Sequence, residues 1–582
     1  MKLIANKDIV RLTSHVSLLT IIACGGPTAD LLLLNGTVYT LTWSDPALDG
    51  TPASDAPFDA NGWHADAEAI AVADGRIIFV GSDEEAEVYR SDHTWVKDLG
   101  GATVIPGLVD SHTHVARLGA NLNRVDLRGA ETEAEAVARV VGARSDAEPG
   151  EWIIAYGWDE GAWANRYPTM DLLSEHFPNN PVVMESLHSF ATWGNRMAFE
   201  RAGITASTAV PSGGEIVKNR NGNPTGILLN RAGDLLLGAV PAPDHQQTME
   251  NFHAGLVAMA TDGYVAVHDA GLDAQAMAAL ETLESDGELP IRVYAMLSAR
   301  DTVLLREWLV KGPDTDSESM LRTRSVKAFF DGALGSRGAR LLEDYSDRPD
   351  HRGTGDGEYG FDAALVAEMM RDGFQVAIHA IGDAGNRETL DFIEGMIGQH
   401  PAARDNRHRI EHAQVVHPDD MNRFAAAAII ASMEPSHAVE DMRWAEDRVG
   451  PTRILGAYAW RTLREAGTRL VFNSDLTGSD HNIFYGLHAA ITRRNKELEP
   501  TGGWYAEQVM TSEEAVRGYT TWAAFASFLE DETGVIAEGR WADITVMDID
   551  PFELGATAPE RILDGSILLT IVSGEVVYER IQ

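Results

Sequence analysis

The sequence has a single cysteine, Cys24, in 582 residues. That excludes a disulfide framework and any zinc site built on cysteine pairs. Basic residues are scarce as well: 47 Lys and Arg stand against 88 Asp and Glu, for a formal net charge of -41. Such a surface repels phosphate backbones and anionic headgroups, which argues against nucleic acid as a partner and against charge-driven membrane binding. Beyond the first 24 residues no run approaches the ~20 apolar residues that span a bilayer. No glycine fingerprint of the dinucleotide-binding type follows a strand-like run. What is there, 44% hydrophobic and 23% charged residues, is the composition of a folded protein with one large domain and smaller attachments.

The start, "MKLIANKDIVRLTSHVSLLTIIACGG", has a basic beginning, an apolar segment and Ile21, Ile22 and Ala23 before Cys24. It resembles a lipoprotein signal, which predicts a signal peptide over 1–23 and a lipid on Cys24. The expected place is then the bacterial cell envelope, periplasmic or outer-membrane associated, with membrane contact only through that anchor. Asp8, Ser14, His15 and Ser17 dilute the pattern, and a cytoplasmic enzyme with an extended start is the alternative. A small molecule is the expected partner, with a homodimer as the assembly to look for.

Strand-like runs follow at once ("ADLLLLNGTVYTL", "AIAVADGRIIFVGS") and return at the other end ("ADITVMDIDPF", "ILLTIVSGEVVYER"). They predict one small β-sandwich formed by both chain ends, from 24–103 and 539–582. In between, eight short apolar runs alternate with helical stretches, from "ATVIPGLVDSHTH" to "TRLVFNSD". This α/β pattern predicts a (β/α)8 TIM barrel over 104–538, with an open doubly wound sheet as the competitor. The spacing leaves a long insertion after the first barrel strand, 117–241, which belongs over the carboxyl-terminal mouth, where barrels bind substrates.

The ends of those strands carry the chemistry. His112 and His114 in "VIPGLVDSHTHV" are two apart, so on extended chain both imidazoles point to one face and can bind one metal ion. His379 in "FQVAIHAIGDAGN" and His412 in "RIEHAQ" also close strands. Singly each reads as well as a hydrogen-bonded core histidine, but together the four are neutral nitrogen donors at one rim. Asp475 in "RLVFNSDLTGSDHN" ends the last strand, where it can accept a proton from activated water; Asp480 lies near, and either also reads as a loop-capping aspartate. Lys327, in the apolar strand "RSVKAFFDGALGS", is costly to bury as an ammonium ion unless it snorkels or pairs with Asp331. His268 and Asp269 in "GYVAVHDAG" read as a hydrogen-bonded pair that orients ligands, or as pocket residues. Trp158, Trp163 and Trp193 of the insertion are substrate walls or core aromatics.

Taken together, "VIPGLVDSHTH", "VKAFFDGALGSRGA", "VAIHAIGDAGN", "RIEHAQ", "NSD" and "GVIAEGRWADITVMD" resemble the amidohydrolase superfamily, and within it the YtcJ-like branch with the N-substituted formamide deformylases. The resemblance spans nearly all of the chain after the leader, including "RVDLRG", "GWDE" and "PTGIL". It implies a metal-dependent amidohydrolase with two divalent ions, expected to be zinc. His112 and His114 would bind one ion and His379 and His412 the other, a carboxylated Lys327 would bridge them, and Asp475 would ligate the first and act as general base and acid. The implied reaction is attack of a metal-bound hydroxide on a linear N-acyl or formamide-like amide, a non-peptide C–N bond. Cyclic amides, carbamates or esters on the same centre are the alternative; a non-catalytic binding lipoprotein is the alternative of another class. His188, Trp158 and Asp159 are the expected substrate-binding residues. The sequence departs from the family pattern around His188, in "ESLHSFATWGN", and after Asp475, in "LTGSDHNIF", both of which face the expected pocket.

Overall fold

The computed structural model describes residues 28–122, 124–158, 167–186, 191–211, 214–335, 337–353 and 361–581. The leader 1–23, Cys24, Asp159, Trp163 and His188 lie outside the described residues. Its centre is a sheet of eight strands, labelled here β1 Leu108–Thr113, β2 Tyr264–Leu272, β3 Arg292–Ser298, β4 Leu321–Phe329, β5 Gln375–Ala380, β6 Arg409–His412, β7 Ile430–Met433 and β8 Leu470–Phe472. Each is paired in parallel with the next in chain order. The strands are nearly continuous apolar runs because both faces are covered, as parallel sheets require. Residues such as Val293, Ala295 and Leu297 join the large core under the helices, while Tyr294 and Met296, alternating with them, form a small separate cluster with Ala270 and Ala377. Helices follow the strands, and those at Ala274–Ser285, Thr302–Lys311 and Ala363–Arg371 begin where Asp273, Asp301 and Asp362 cap a free backbone N–H.

The barrel closes at a seam. β8 and β1 share no ladder; a single parallel bridge joins Thr113 to Leu476, with the His114 N–H donating to the Leu476 carbonyl at 3.0 Å. The Asp110 side chain replaces the missing ladder: its oxygens accept from the Ser474 hydroxyl at 2.6 Å and the Ser474 N–H at 3.2 Å. Both groups are buried, so the bonds satisfy polar atoms that would otherwise be stranded.

The run "ATVIPGLVDSHTH", expected as the first barrel strand, is divided into two strands. Thr103–Pro106 lies in a five-stranded sheet, between Thr37–Val38 and Ile544–Met547, and Ile567–Val572 and Glu575–Glu579 complete it. Gly107 is the break: a Cβ there would come within 2.3 Å of Val265 on β2, so only glycine lets the chain pass from one sheet to the other. A second sheet holds Arg76–Gly81, Ala69–Ala73, Leu31–Leu34 and Trp95–Asp98 in that order. Leu31, Ile70 and Val72 from it share a buried core with Val104, Ile544, Val546 and Ile571 from the first, so the two chain ends meet. A buried ion pair ties them to the barrel, Arg292 Nε of β3 to Asp543 Oδ2 at 2.9 Å.

The region expected as an insertion, 117–241, carries a six-stranded sheet in the order Val125–Asp126, Ile153–Trp158, Val182–Ser186, Ala191–Gly194, Pro224–Asn230, Gly214–Lys218. It has its own cores, one around Trp158, Trp193 and Met184 and another around Val183, Phe199 and Leu228. Among the described residues no helix is long and apolar enough to cross a membrane.

Candidate metal centre

The carboxyl ends of the barrel strands bring most of the singled-out residues to one place. Period-two alternation on β1 puts Asp110 and His112 on the same face, and His114 follows where the strand ends. His412 closes β6 with a left-handed backbone (φ 73°), followed by Ala413 (φ 40°), and Asp475, just beyond β8, has φ 47°. Such conformations cost about 1–3 kcal/mol each in non-glycine residues and persist only where surrounding contacts hold them. For Asp475 those contacts are its N–H to Asn473 Oδ1 at 3.0 Å and the Gly478 N–H to its carbonyl at 2.7 Å.

His114 Nε2 is 3.3 Å and His112 Nε2 is 3.7 Å from Asp475 Oδ1. Among the described residues two groups of donors converge closely enough to hold an ion: His112, His114 and Asp475, and His412, His437 and Asp475, with the ligand atoms of each within 4.8 Å of one another. His412 Nδ1 is buried and faces Glu434 Oε1 at 3.1 Å. Imidazoles with a carboxylate suit a divalent transition ion, so these residues fit a metal.

Beneath the donors lies a buried polar chain. Arg409 grips Glu411 with two prongs, Nε to Oε1 at 2.8 Å and Nη2 to Oε2 at 3.0 Å, and donates from Nη1 to His268 Nδ1 at 2.9 Å. Glu411 Oε2 accepts in turn from His112 Nδ1. That assigns the proton of His112 to Nδ1 and leaves Nε2 as the acceptor, which Lys327 Nζ meets at 3.0 Å. Burial and then Lys327 push the His112 imidazole down to about 4. Burial pulls the Lys327 ammonium down to about 8. Burial alone would raise the Glu411 and Asp475 carboxyls; Arg409 and His112 hold Glu411, and the His114 hydrogen bond with His112 and His412 holds Asp475, well below the usual carboxylate range. The pocket thus favours the neutral His112 imidazole and the charged Glu411 and Asp475 carboxylates, the states in which such groups ligate or support a metal.

Lys327 neither snorkels nor pairs with Asp331. It is buried, and Asp331 instead ties its own loop together by accepting the N–H groups of Arg340, Ile381 and Gly382 at 2.8–3.0 Å. The His379 ring packs 4.5 Å from that of His412. Its Nε2 lies 3.5 Å from both the Gly332 carbonyl and Asp331 Oδ1, outside either converging group. Asp269 accepts from the Val115 N–H at 3.0 Å and the Thr113 hydroxyl at 3.3 Å. Asp480 pairs with Lys496 and caps Asn482. The substrate-contact expectation for Trp158 is corrected: the side chain is fully buried in the insertion's core, its Nε1 donating to the Met184 carbonyl at 3.1 Å and its ring edge-on to Trp193.

Sequence reading missed Arg409, Glu411, Glu434 and His437. The signal for the first two was present: charges at alternate positions of an apolar strand share one face, here the inner one. Replacing Glu411 by Gln turns an acceptor into a donor against Arg409 or His112 and frees the His112 ring to change tautomer. Metal affinity in a chelator-competition titration should fall about 10–100-fold; an unchanged affinity would remove Glu411 from this role.

A parallel eight-stranded barrel with imidazoles and a carboxylate converging at its carboxyl-terminal mouth defines the class, a metal-dependent hydrolase. The chain belongs to the amidohydrolase family, whose model matches residues 96–578. It is 32% identical over 527 residues to the putative amidohydrolase YtcJ of Bacillus subtilis (strain 168), covering 88% of this chain and 96% of that one. It is 28% identical over 536 residues to an N-substituted formamide deformylase of Arthrobacter pascens, covering 88% and 95%. Among solved structures it is similar to an uncharacterized metal-dependent hydrolase from Pyrococcus furiosus, with a TM-score of 0.70 and 26% identity over 90% of this chain and 99% of that one. The protein is a metal-dependent amidohydrolase.

Proposed function

We propose that the protein hydrolyses the C–N bond of small linear amides, N-acyl or formamide-like, to a carboxylic acid and an amine. The observation that carries this reading is the charged Asp475 carboxylate beside His114 and His112 at the barrel mouth. The similarity to an N-substituted formamide deformylase supports the substrate class. His112, His114 and Asp475 would hold one divalent ion, zinc by donor type, and His379, His412 and a carboxylated Lys327 would serve a second. An ion so held supplies Lewis acidity, which lowers the pKa of water toward ~7 and polarises an amide carbonyl. Asp475 accepts a proton from the attacking water as the C–O bond forms and returns it to nitrogen as the C–N bond breaks. That delivery is needed because an amide anion is a very poor leaving group. His112, neutral and fixed as the Nδ1–H tautomer by Glu411, keeps the Nε2 lone pair turned to the site.

The test is amine release from a panel of N-substituted formamides and N-acyl amines by metal-reconstituted enzyme. Turnover of esters with no amide hydrolysed would overturn the substrate class.

The Lys327 carbamate has its own test. Only the uncharged amine adds carbon dioxide, forming an N–C bond and losing a proton. With the ammonium pulled down to about 8, the uncharged fraction rises about 50-fold between pH 6 and pH 8. Apoenzyme given metal at fixed dissolved carbon dioxide should therefore activate faster at pH 8 by that order. Activation independent of carbon dioxide at both pH values would exclude the carbamate.

A further inference from the structure

We infer that His437 is a further ligand of the second ion, beside His412, with Asp475 shared between the two ions. This rests on the reading of the site as a metal centre and goes beyond it, because the resemblance gives that ion His379, His412 and Lys327 and does not include His437. His437 lies in the helix Pro435–Asp441, directly after β7.

Three observations point the same way. A nitrogen from each of His412 and His437 and an oxygen of Asp475 lie within 4.8 Å of one another, whereas His379 Nε2 faces the Gly332 carbonyl and Asp331. Glu434 stands behind both rings: Oε1 is 3.1 Å from His412 Nδ1 and Oε2 is 3.7 Å from His437 Nδ1. A carboxylate facing the Nδ1 of two imidazoles is the arrangement that turns their Nε2 atoms toward a shared ion. Yet Glu434 Oε1 and His412 Nδ1 are both buried without a hydrogen bond. A cation between the rings and Asp475 would add positive charge beside this buried carboxylate.

Gly478 marks the space. A Cβ at that position would lie 3.1 Å from the Asp475 carbonyl oxygen, 3.5 Å from Asp475 Oδ2 and 3.6 Å from His437 Nε2. Asp475 Oδ2 and His437 Nε2 therefore both face the side of Gly478 that carries no side chain. Two imidazoles and a carboxylate are borderline-soft donors suited to Zn²⁺ or Co²⁺ rather than Mg²⁺ or Ca²⁺.

The experiment is titration of chelator-stripped full-length protein with Co²⁺, followed by calorimetry and by visible ligand-field absorption, for wild type, His437→Ala and Glu434→Gln, each checked for fold by circular dichroism. Wild type should take two equivalents. His437→Ala should keep the first with unchanged affinity, bind the second at least about 100-fold more weakly and lose its absorption band; Glu434→Gln should weaken the second about 10–100-fold. If His437→Ala fails to fold, His437→Gln replaces it, with Glu434→Gln as the independent readout. A second equivalent that binds His437→Ala with wild-type affinity and spectrum overturns the proposal, even if substrate KM rises, since His437 would then touch substrate and not metal. A wild type that takes one equivalent also overturns it while leaving the metal-centre reading intact; a wild type that takes none defeats both.

Discussion

Asp475→Asn should lower kcat/KM by about 10²–10⁴, the range for loss of a positioned general acid and base. The substitution keeps the shape and one carbonyl oxygen but removes the charge that lies 3.3 Å from His114 and 3.7 Å from His112. Two consequences can be separated. If proton transfer is the main loss, metal content measured on the purified variant stays near wild type while kcat collapses. If ligation dominates, metal is lost with activity, and excess metal restores part of it. In wild type the Asp475 carboxyl is held well below its usual range, so it remains charged across neutral and mildly acid pH. The acid limb of the wild-type profile therefore belongs to protonation of other groups, and Asp475→Asn should lower the plateau without shifting that limb. Activity within about threefold of wild type would end the acid–base assignment.

Lys327→Ala carries the second large effect. The side chain is buried, its Nζ meets His112 Nε2 at 3.0 Å, and β4 holds it in register opposite Ser298 on one side and Ala377 on the other. Truncation removes the group proposed to bridge two ions and leaves a small cavity beside His112. One equivalent of metal and most of the activity should go, with kcat reduced by about 10²-fold or more. Acetate or a similar short carboxylate should fit the cavity and restore part of both, because it offers two anionic oxygens where the carbamate would have been. Unchanged activity and metal content would end the bridging role; loss of metal with no rescue by any short carboxylate would leave Lys327 as a plain amine in contact with His112.

The positions of His112, His114, His412 and Asp475 were legible because barrel chemistry gathers at strand ends and each of these residues closes or follows an apolar run. Lys327 was legible as an anomaly, a cation in a strand otherwise fit only for burial. Arg409 and Glu411 hid in the motif "RIEHAQ": their charges are compensated by each other and by residues from β1 and β2, and a cross-barrel partner has no signature along the chain. His437 was missed for a related reason, since its relation to His412 and Asp475 depends on how the segment after β7 turns back. The division of the first strand at Gly107 is set by the approach of Val265, a contact 158 positions away. Trp158 illustrates the limit of composition: an aromatic in an insertion over a mouth reads as a substrate wall until its neighbours are known.

The seam between β8 and β1 gives the site a second consequence. His112 and His114 belong to the first strand, and Asp475 follows the last, so an ion held by all three spans the junction where the sheet has only one bridge and the Asp110–Ser474 contacts. Such an ion acts as a clasp. It would bind the closed barrel in preference to an opened one, and by linkage would stabilise closure by about 2.7 kcal/mol when free metal stands at 100 times Kd. Occupancy and closure of the barrel would then be linked, the ion fastening a junction that backbone pairing spans by a single bridge.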